Sequence, residues 1–208
     1  MGEFIREYQE IRSQIFISHI RLTSGSDVCY RNTHPFCREL GGKQYVFAHN
    51  KTLLWYDKKG GLDLGDFKPV GDTDSEWAFC WLMGQIKKRF GTDEDSTDVW
   101  SSEDFDWLQT KLHDINEYGD LNCLMSDGVR LFSYFDKRKY NSLMFLIRKS
   151  PFGSIRLMDD DFWIDLSDEK EPDEQGVIIA TSPLTDENWV SFKPGQLIVV
   201  ENGEIIYH

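Results

Sequence analysis

Leu121-Asn122-Cys123-Leu124-Met125-Ser126-Asp127-Gly128-Val129-Arg130-Leu131-Phe132-Ser133-Tyr134-Phe135 places two apolar, aromatic-rich runs on either side of an Asp-Gly dipeptide. That pattern predicts a hairpin with strands over 121–125 and 130–135, because Asp-Gly accepts the positive φ values a tight hairpin turn needs. A third run, Ser142 to Arg148, continues it as a meander. Toward the C-terminus the same reading gives strands over Gly176–Thr181, Gln196–Val200 and Glu204–Tyr207, the last two joined by Asn202-Gly203. Hairpin-linked strands are antiparallel, which favours layered sheets covered by helices over a parallel wound sheet.

Two helices precede the hairpin. From about Ser102 to Tyr118, Phe105, Leu108, Leu112 and Ile115 recur at spacings of three and four, one apolar stripe, with Gly119 as the stop. From Trp77 to Phe90 the segment is strongly apolar. Thr73-Asp74-Ser75-Glu76 before it has capping-box spacing, and Lys87, Lys88 and Arg89 suit the negative end of its dipole. Residues 51–72 hold four glycines, a proline and the insert Leu53-Leu54-Trp55-Tyr56, which reads as a flap. Before it, strands are expected over Gln44–Ala48, stopping at His49-Asn50, and over Gln14–Leu22, which puts Arg21 at a strand end.

The composition belongs to a globular protein: 208 residues, 40% hydrophobic, 14% aromatic and 28% charged. A single domain over residues 1–208 is expected. The net charge of −13 is concentrated, since residues 92–106 hold seven acids and no base and residues 159–175 hold nine acids and one lysine. No basic face is visible, so nucleic acid is not an expected partner. No run of 18 apolar residues and no secretory h-region occurs, so no membrane partner is expected and the location is expected to be cytoplasmic. Cys29, Cys37, Cys80 and Cys123 lack the spacing of a zinc knuckle or redox dithiol. With neither a Gly-rich phosphate loop nor a helical His-Glu-x-x-His, no metal or other cofactor is expected.

Polar residues cluster where the chain leaves regular elements: His19-Ile20-Arg21, Asn32-Thr33-His34-Pro35-Phe36, Phe47-Ala48-His49-Asn50-Lys51, and Gly71-Asp72-Thr73-Asp74-Ser75-Glu76. An arginine fork suits a carboxylate, an aspartate at a helix start suits an ammonium group, and an asparagine amide suits an oxygen gaining negative charge. Together they would fit an α-amino acid with a reactive carbonyl on its side chain. Taken singly, each has a plainer meaning. Asp74 also stabilises a helix start, Arg21 also serves an ion pair, Asn50 also ends a strand in a turn, and His34 and His49 are also ordinary buried histidines.

The order of these blocks, closed by Ile179-Ala180-Thr181-Ser182-Pro183-Leu184-Thr185, resembles the stand-alone class II glutamine amidotransferases from about Ile15 to the C-terminus. That resemblance implies the αββα sandwich of N-terminal nucleophile hydrolases, an α+β fold. It implies glutamine or another γ-glutamyl amide as substrate, hydrolysed to release ammonia or an amine. By position, Arg21 would hold the α-carboxylate, Asp74 the α-ammonium, and Asn50 the oxyanion. Ser24 would add a polar contact, and His34, His49 and Glu76 would support the others.

Two departures bear on activity. The family follows the motif asparagine with glycine, whose N–H also faces the oxyanion, whereas Lys51 stands here. A left-handed backbone at that position would strain a lysine. The family's nucleophile is a cysteine exposed after methionine removal, whereas Gly2 follows Met1 and the first cysteine is Cys29. Cys29, close to Arg31 and His34 in sequence, is the one internal thiol to test as a replacement. The resemblance therefore implies a truncated sandwich lacking its first strands, with open edges suited to self-association or to a separately encoded N-terminal segment. A non-catalytic module that binds γ-glutamyl ligands or a partner protein stays open as the alternative.

Overall fold

Strand β10, Leu197–Glu201, explains the layering, because its consecutive apolar residues alternate between two cores. Leu197 and Val199 face a core shared with two helices, while Ile198 and Val200 face a second core shared with another sheet. In the computed structural model, residues 13–21, 27–54, 63–92, 99–158, 163–167 and 173–208 are described. Strands β1 (Phe36–Leu40) and β2 (Lys43–Asn50) come first, followed by helices α1 (Asp74–Phe90) and α2 (Ser102–Asn116). Strands β3 (Asn122–Ser126), β4 (Arg130–Tyr134), β5 (Met144–Lys149), β6 (Ser154–Arg156) and β7 (Trp163–Asp165) come next. The chain continues with β8 (Gln175–Ala180), β9 (Val190–Ser191), β10 and β11 (Glu204–Tyr207).

One sheet has the order β1-β2-β3-β4-β10-β11, a second β8-β5-β9, and β6 pairs with β7. Every described strand pairing is antiparallel. The fold is thus α+β with layered antiparallel sheets. Both helices cover one face of the six-stranded sheet, where Phe47 stacks on Phe79 with ring centroids 5.2 Å apart. Phe135, Leu143 and Phe192 join Ile198 and Val200 between the sheets. Among the described residues, no helix is long and apolar enough to cross a membrane.

The helices follow the expected physics with two changes. Helix α2 buries Phe105, Leu108, Leu112 and Ile115 and opens on a full capping box between Ser101 and Asp104. Helix α1 starts at Asp74, three residues before the expected Trp77, with Thr73 Oγ1 accepting the Glu76 N–H at 3.2 Å. Its box is half formed, because the Glu76 carboxylate turns away to accept the N–H groups of Val70 (2.9 Å) and Gly71 (2.7 Å).

Other expectations need correction. Residues 15–21 keep the inside-outside alternation of a strand, with Ile15, Ile17, His19 and Arg21 turned inward, yet they form no ladder with any described residue. Alternation is local, but a strand also needs a neighbour for its N–H and C=O groups. Arg21 therefore sits on an extended segment and not at a strand end. The turn Gly41-Gly42, at φ +60° and +76°, joins β1 to β2, so a strand stands at Phe36–Leu40 where none was expected. Strands β6, β7 and β9 were also unexpected; each has two or three residues. The expected flap is anchored at both ends: Leu53 is fully buried, and Leu64 and Phe67 pack on the main core. Its middle, residues 55–62, lies outside the described residues.

Gly119 marks a tight approach between the turn after α2 and the segment after β2. A Cβ there would stand 2.4 Å from the Thr52 carbonyl oxygen and 2.7 Å from Leu53 Cα, both backbone atoms that cannot rotate away. Gly119→Ala should therefore destabilise the fold by about 2–4 kcal/mol in denaturant unfolding, the cost of a forced overlap. A loss below about 0.5 kcal/mol would mean the two segments can part freely.

Candidate functional site

His49, near the end of β2, is the point around which the polar blocks gather. Its Nε2 lies 2.9 Å from the Asp120 carbonyl oxygen and its Nδ1 2.9 Å from Ser75 Oγ. A carbonyl only accepts, so in the neutral ring Nε2 carries the proton and the Ser75 hydroxyl donates to Nδ1. Burial lowers the affinity of His49 for a second proton, opposed in part by the nearby Asp74 carboxylate. The buried imidazole thus ties β2, the first turn of α1 and the turn before β3 together without carrying a charge.

Two more histidines stack beside it. The His19 ring donates to the His49 carbonyl, and its centroid lies 4.3 Å from that of His34, at an interplanar angle of 30°. His34 leans in turn on Phe36, 4.6 Å away. Only 8% of His34 is exposed, and neither ring nitrogen has a hydrogen-bond partner among the described residues. Burial, reinforced by Arg21 and by any proton taken up on His19 or His49, holds its pKa down to about 3. Burial also lowers His19.

Of the substrate-binding residues expected from the sequence, Arg21 lies near enough to His19 and His34 for its charge to act on both. Its guanidinium reaches the Asp27 carbonyl at 3.5 Å. Asp74 opens α1, where Leu53 N–H donates to Oδ2 at 2.5 Å and Ser75 N–H to Oδ1 at 2.9 Å. A carboxylate offers about four lone-pair directions, so two backbone donors leave room for an ammonium group. Ser24 lies outside the described residues.

Asn50 ends β2 opposite Asn122, and no described residue hydrogen-bonds its side-chain amide. The next residue, Lys51, has φ +102°, the conformation glycine adopts freely and a lysine resists. Its ammonium lies 4.2 Å from the Tyr140 ring centroid, and hydrogen bonding to Tyr140 raises its pKa. Glu76 stands apart from these groups. It is buried, pairs with Arg38 and clamps residues 70–71, so it supports the approach to α1. A cavity of about 140 Å³ lined by Arg148, Phe152, Ile155, Leu166 and Glu187 among others lies by β5 and β6, and Arg21, Asn50 and Asp74 do not line it.

Two of the cysteines lack the setting of an activated thiolate. Cys123 and Cys80 are buried, which pushes both thiols up. Cys37 is exposed on edge strand β1, and the thiol of Cys29 does not cap the short turn that follows it.

The sequence reasoning passed over Ser75 and Asp120, which fix His49, and a buried polar group of Asn116, Asn122 and Asp136 behind Lys51. The one signal for these was polar residues within otherwise apolar elements, which does not name their partners.

A family model described as class-II glutamine amidotransferases matches residues 1–208. The chain belongs to that family. It is 49% identical over 207 residues to an uncharacterized protein of Methanocaldococcus jannaschii, covering 100% of this chain and 55% of that protein. This amidotransferase-family chain therefore spans about half the length of that relative. A crystal structure of a predicted glutamine amidotransferase from Pseudomonas aeruginosa has a TM-score of 0.70 at 35% identity, covering 86% of this chain and 66% of that one. The glutamine phosphoribosylpyrophosphate amidotransferase of Bacillus subtilis has a TM-score of 0.52 at 15% identity over 91% of this chain and 33% of that one, a likeness of fold alone. These neighbours bear out the family's N-terminal nucleophile hydrolase fold.

The two strained features of the family site can be measured separately. His34 is neutral when folded until about pH 3, whereas an unfolded histidine gains its proton near 6.5. Its contribution to stability is therefore intact above pH 6.5 and declines as pH falls toward 3. His34→Phe, a ring of similar size with no nitrogen to desolvate, should raise the unfolding temperature at about pH 8 and raise it by more at about pH 4.5. Parallel pH profiles for the two proteins would refute this. At position 51, Lys51→Gly should unfold at a higher temperature than Lys51→Ala, because glycine alone adopts φ +102° without a Cβ clash. The opposite order would mean the backbone there relaxes once the lysine is gone.

Proposed function

We propose that this site hydrolyses the γ-glutamyl amide of glutamine, or of a related γ-glutamyl compound, releasing ammonia or an amine. The observation that carries the reading is the geometry after β2. Asn50 ends the strand, Lys51 turns the chain at φ +102°, and Leu53 N–H returns to Asp74 at 2.5 Å. A candidate oxyanion donor and a candidate ammonium acceptor are thereby fixed within four residues of backbone.

In this reading Arg21 binds the α-carboxylate and Asp74 the α-ammonium, with Ser24 as an added polar contact. A cysteine thiolate, that of Cys29 or one outside residues 1–208, attacks the γ-carbonyl carbon, and the carbonyl electrons move onto oxygen, where the Asn50 amide and the Lys51 backbone N–H donate. Collapse of that intermediate breaks the carbon–nitrogen bond, and the nitrogen takes a proton and leaves. Water then cleaves the glutamyl thioester to glutamate and free thiol. Cys80 and Cys123 are unsuited to the attack because burial raises their thiols. His34, His49 and Glu76 hold the surrounding backbone. Residues 1–208 act as one domain, and glutamine or a γ-glutamyl small molecule is its partner.

Calorimetric titration with L-glutamine tests the binding half, and ammonia release tests the chemistry. Arg21→Ala and Asp74→Ala should each weaken glutamine binding by about 10–100-fold, the loss expected for a charge-assisted contact worth about 1.5–3 kcal/mol. Unchanged affinity in both variants would sink the assignment of the pocket. Glutamine binding without any ammonia release would instead favour a non-catalytic module that binds γ-glutamyl ligands.

A further inference from the structure

Asp136 is a buried carboxylate with no ion-pair partner among the described residues. It is 0% exposed, and four N–H donors surround it. Oδ2 accepts from Asn116 Nδ2 at 2.6 Å and from Leu121 N–H at 2.8 Å. Oδ1 accepts from the N–H groups of Arg138 at 2.6 Å and Tyr140 at 3.2 Å. The Arg138 guanidinium nearby donates past it, to the carbonyls of Asn116 and Gly119. Burying a charge is costly unless its hydrogen bonds are complete, so this arrangement calls for a reason beyond filling space.

Its connections run to the end of β2. The Asp136 N–H donates to Asn122 Oδ1 at 2.9 Å, and Asn122 Nδ2 donates to the Tyr140 carbonyl at 3.0 Å. Asn122 is the strand partner of Asn50, and the Tyr140 ring carries the Lys51 ammonium. On the far side of the turn, Asp120 N–H donates to the Thr52 carbonyl at 3.2 Å. The Asp136 carboxylate therefore joins the two segments that flank Asn50 and Lys51, residues 119–122 and residues 136–140.

We propose that Asp136 is a positioning residue: acting through Asn122 and Tyr140, its buried carboxylate sets the path of the backbone at Asn50 and Lys51 and so the aim of the oxyanion donors. The proposal rests on the hydrolytic reading of the site. It contacts neither of the groups assigned to the substrate's α-carboxylate and α-ammonium, so its loss disturbs turnover more than substrate capture. Asp136→Asn keeps the shape but turns one accepting oxygen into an NH₂ that faces an N–H donor.

The test has two independent readouts on the intact protein. In steady-state hydrolysis of L-glutamine, Asp136→Asn should lower kcat by about tenfold or more with KM within about twofold, short of the ~10²–10³ lost on removing an oxyanion donor outright. Amide hydrogen exchange at residues 50–52 should quicken by about tenfold or more, while amides in the middle of α1 keep the parent's protection. Tyr140→Leu, which removes the platform under Lys51 and leaves the carboxylate in place, should quicken exchange at the same residues to a lesser degree. It serves as the readout if Asp136→Asn fails to fold. Unchanged exchange at residues 50–52 in both variants overturns the proposal, as does faster exchange there with kcat unaltered. A rise in KM that matches the fall in kcat/KM overturns it too, since that would place Asp136 in ground-state binding. If the parent protein hydrolyses no γ-glutamyl compound, the reading of the site fails, and the exchange data alone decide whether Asp136 governs the strand end.

Discussion

A neutral, buried imidazole organises this molecule. His49 accepts from the first turn of α1 through Ser75 and donates to the turn before β3 through Asp120, so three elements distant in sequence share one ring. The arrangement works because both of its hydrogen bonds suit the uncharged form. A second proton would face a serine hydroxyl already donating inward, in surroundings too poor in water to solvate the charge. The stacked pair of His19 and His34 extends the same economy of charge. Arg21 and Asp74, the charged groups assigned to a ligand, border this uncharged column, where the low polarity strengthens their attraction for opposite charges.

Around that hub, the fold supplies rigidity by burying the six-stranded sheet on both faces. Helices lie over one face and the three-stranded sheet over the other. A strand end held from both sides tolerates an unfavourable residue, and Lys51 is such a residue. Backbone strain of this kind persists only where its surroundings over-determine the path. The close approach of Gly119 to Thr52 and the Lys51 contact with Tyr140 supply that determination.

How much of this the sequence disclosed depended on whether the cause was local. The 121–135 hairpin, the stripe of α2 and the Asn202-Gly203 turn are set by neighbours within a few residues, and each was legible. The alternation of residues 15–21 was equally legible, but pairing is a property of two segments, and no described segment supplies the second. Strand β1 was missed although Gly41-Gly42 carried its signal. At the site, the motif order singled out Arg21, Asn50, Lys51 and Asp74 as candidates, and the left-handed backbone that would strain a lysine is present at Lys51. Asn116, Asn122 and Asp136 stayed hidden because a polar residue in an apolar element announces burial without naming its partner.

The pairing of β10 with β4 also bears on how the molecule is made. Leu197 lies opposite Tyr134, so the central ladder joins a strand to a partner synthesised much earlier. During translation, the helical layer and strands β1 to β4 emerge with one sheet face still wet and an unfilled edge beside β4. A chain at that stage presents apolar surface to solvent or to a chaperone until the later strands arrive. Nonlocal closure of this kind also slows folding relative to a helical protein of equal size.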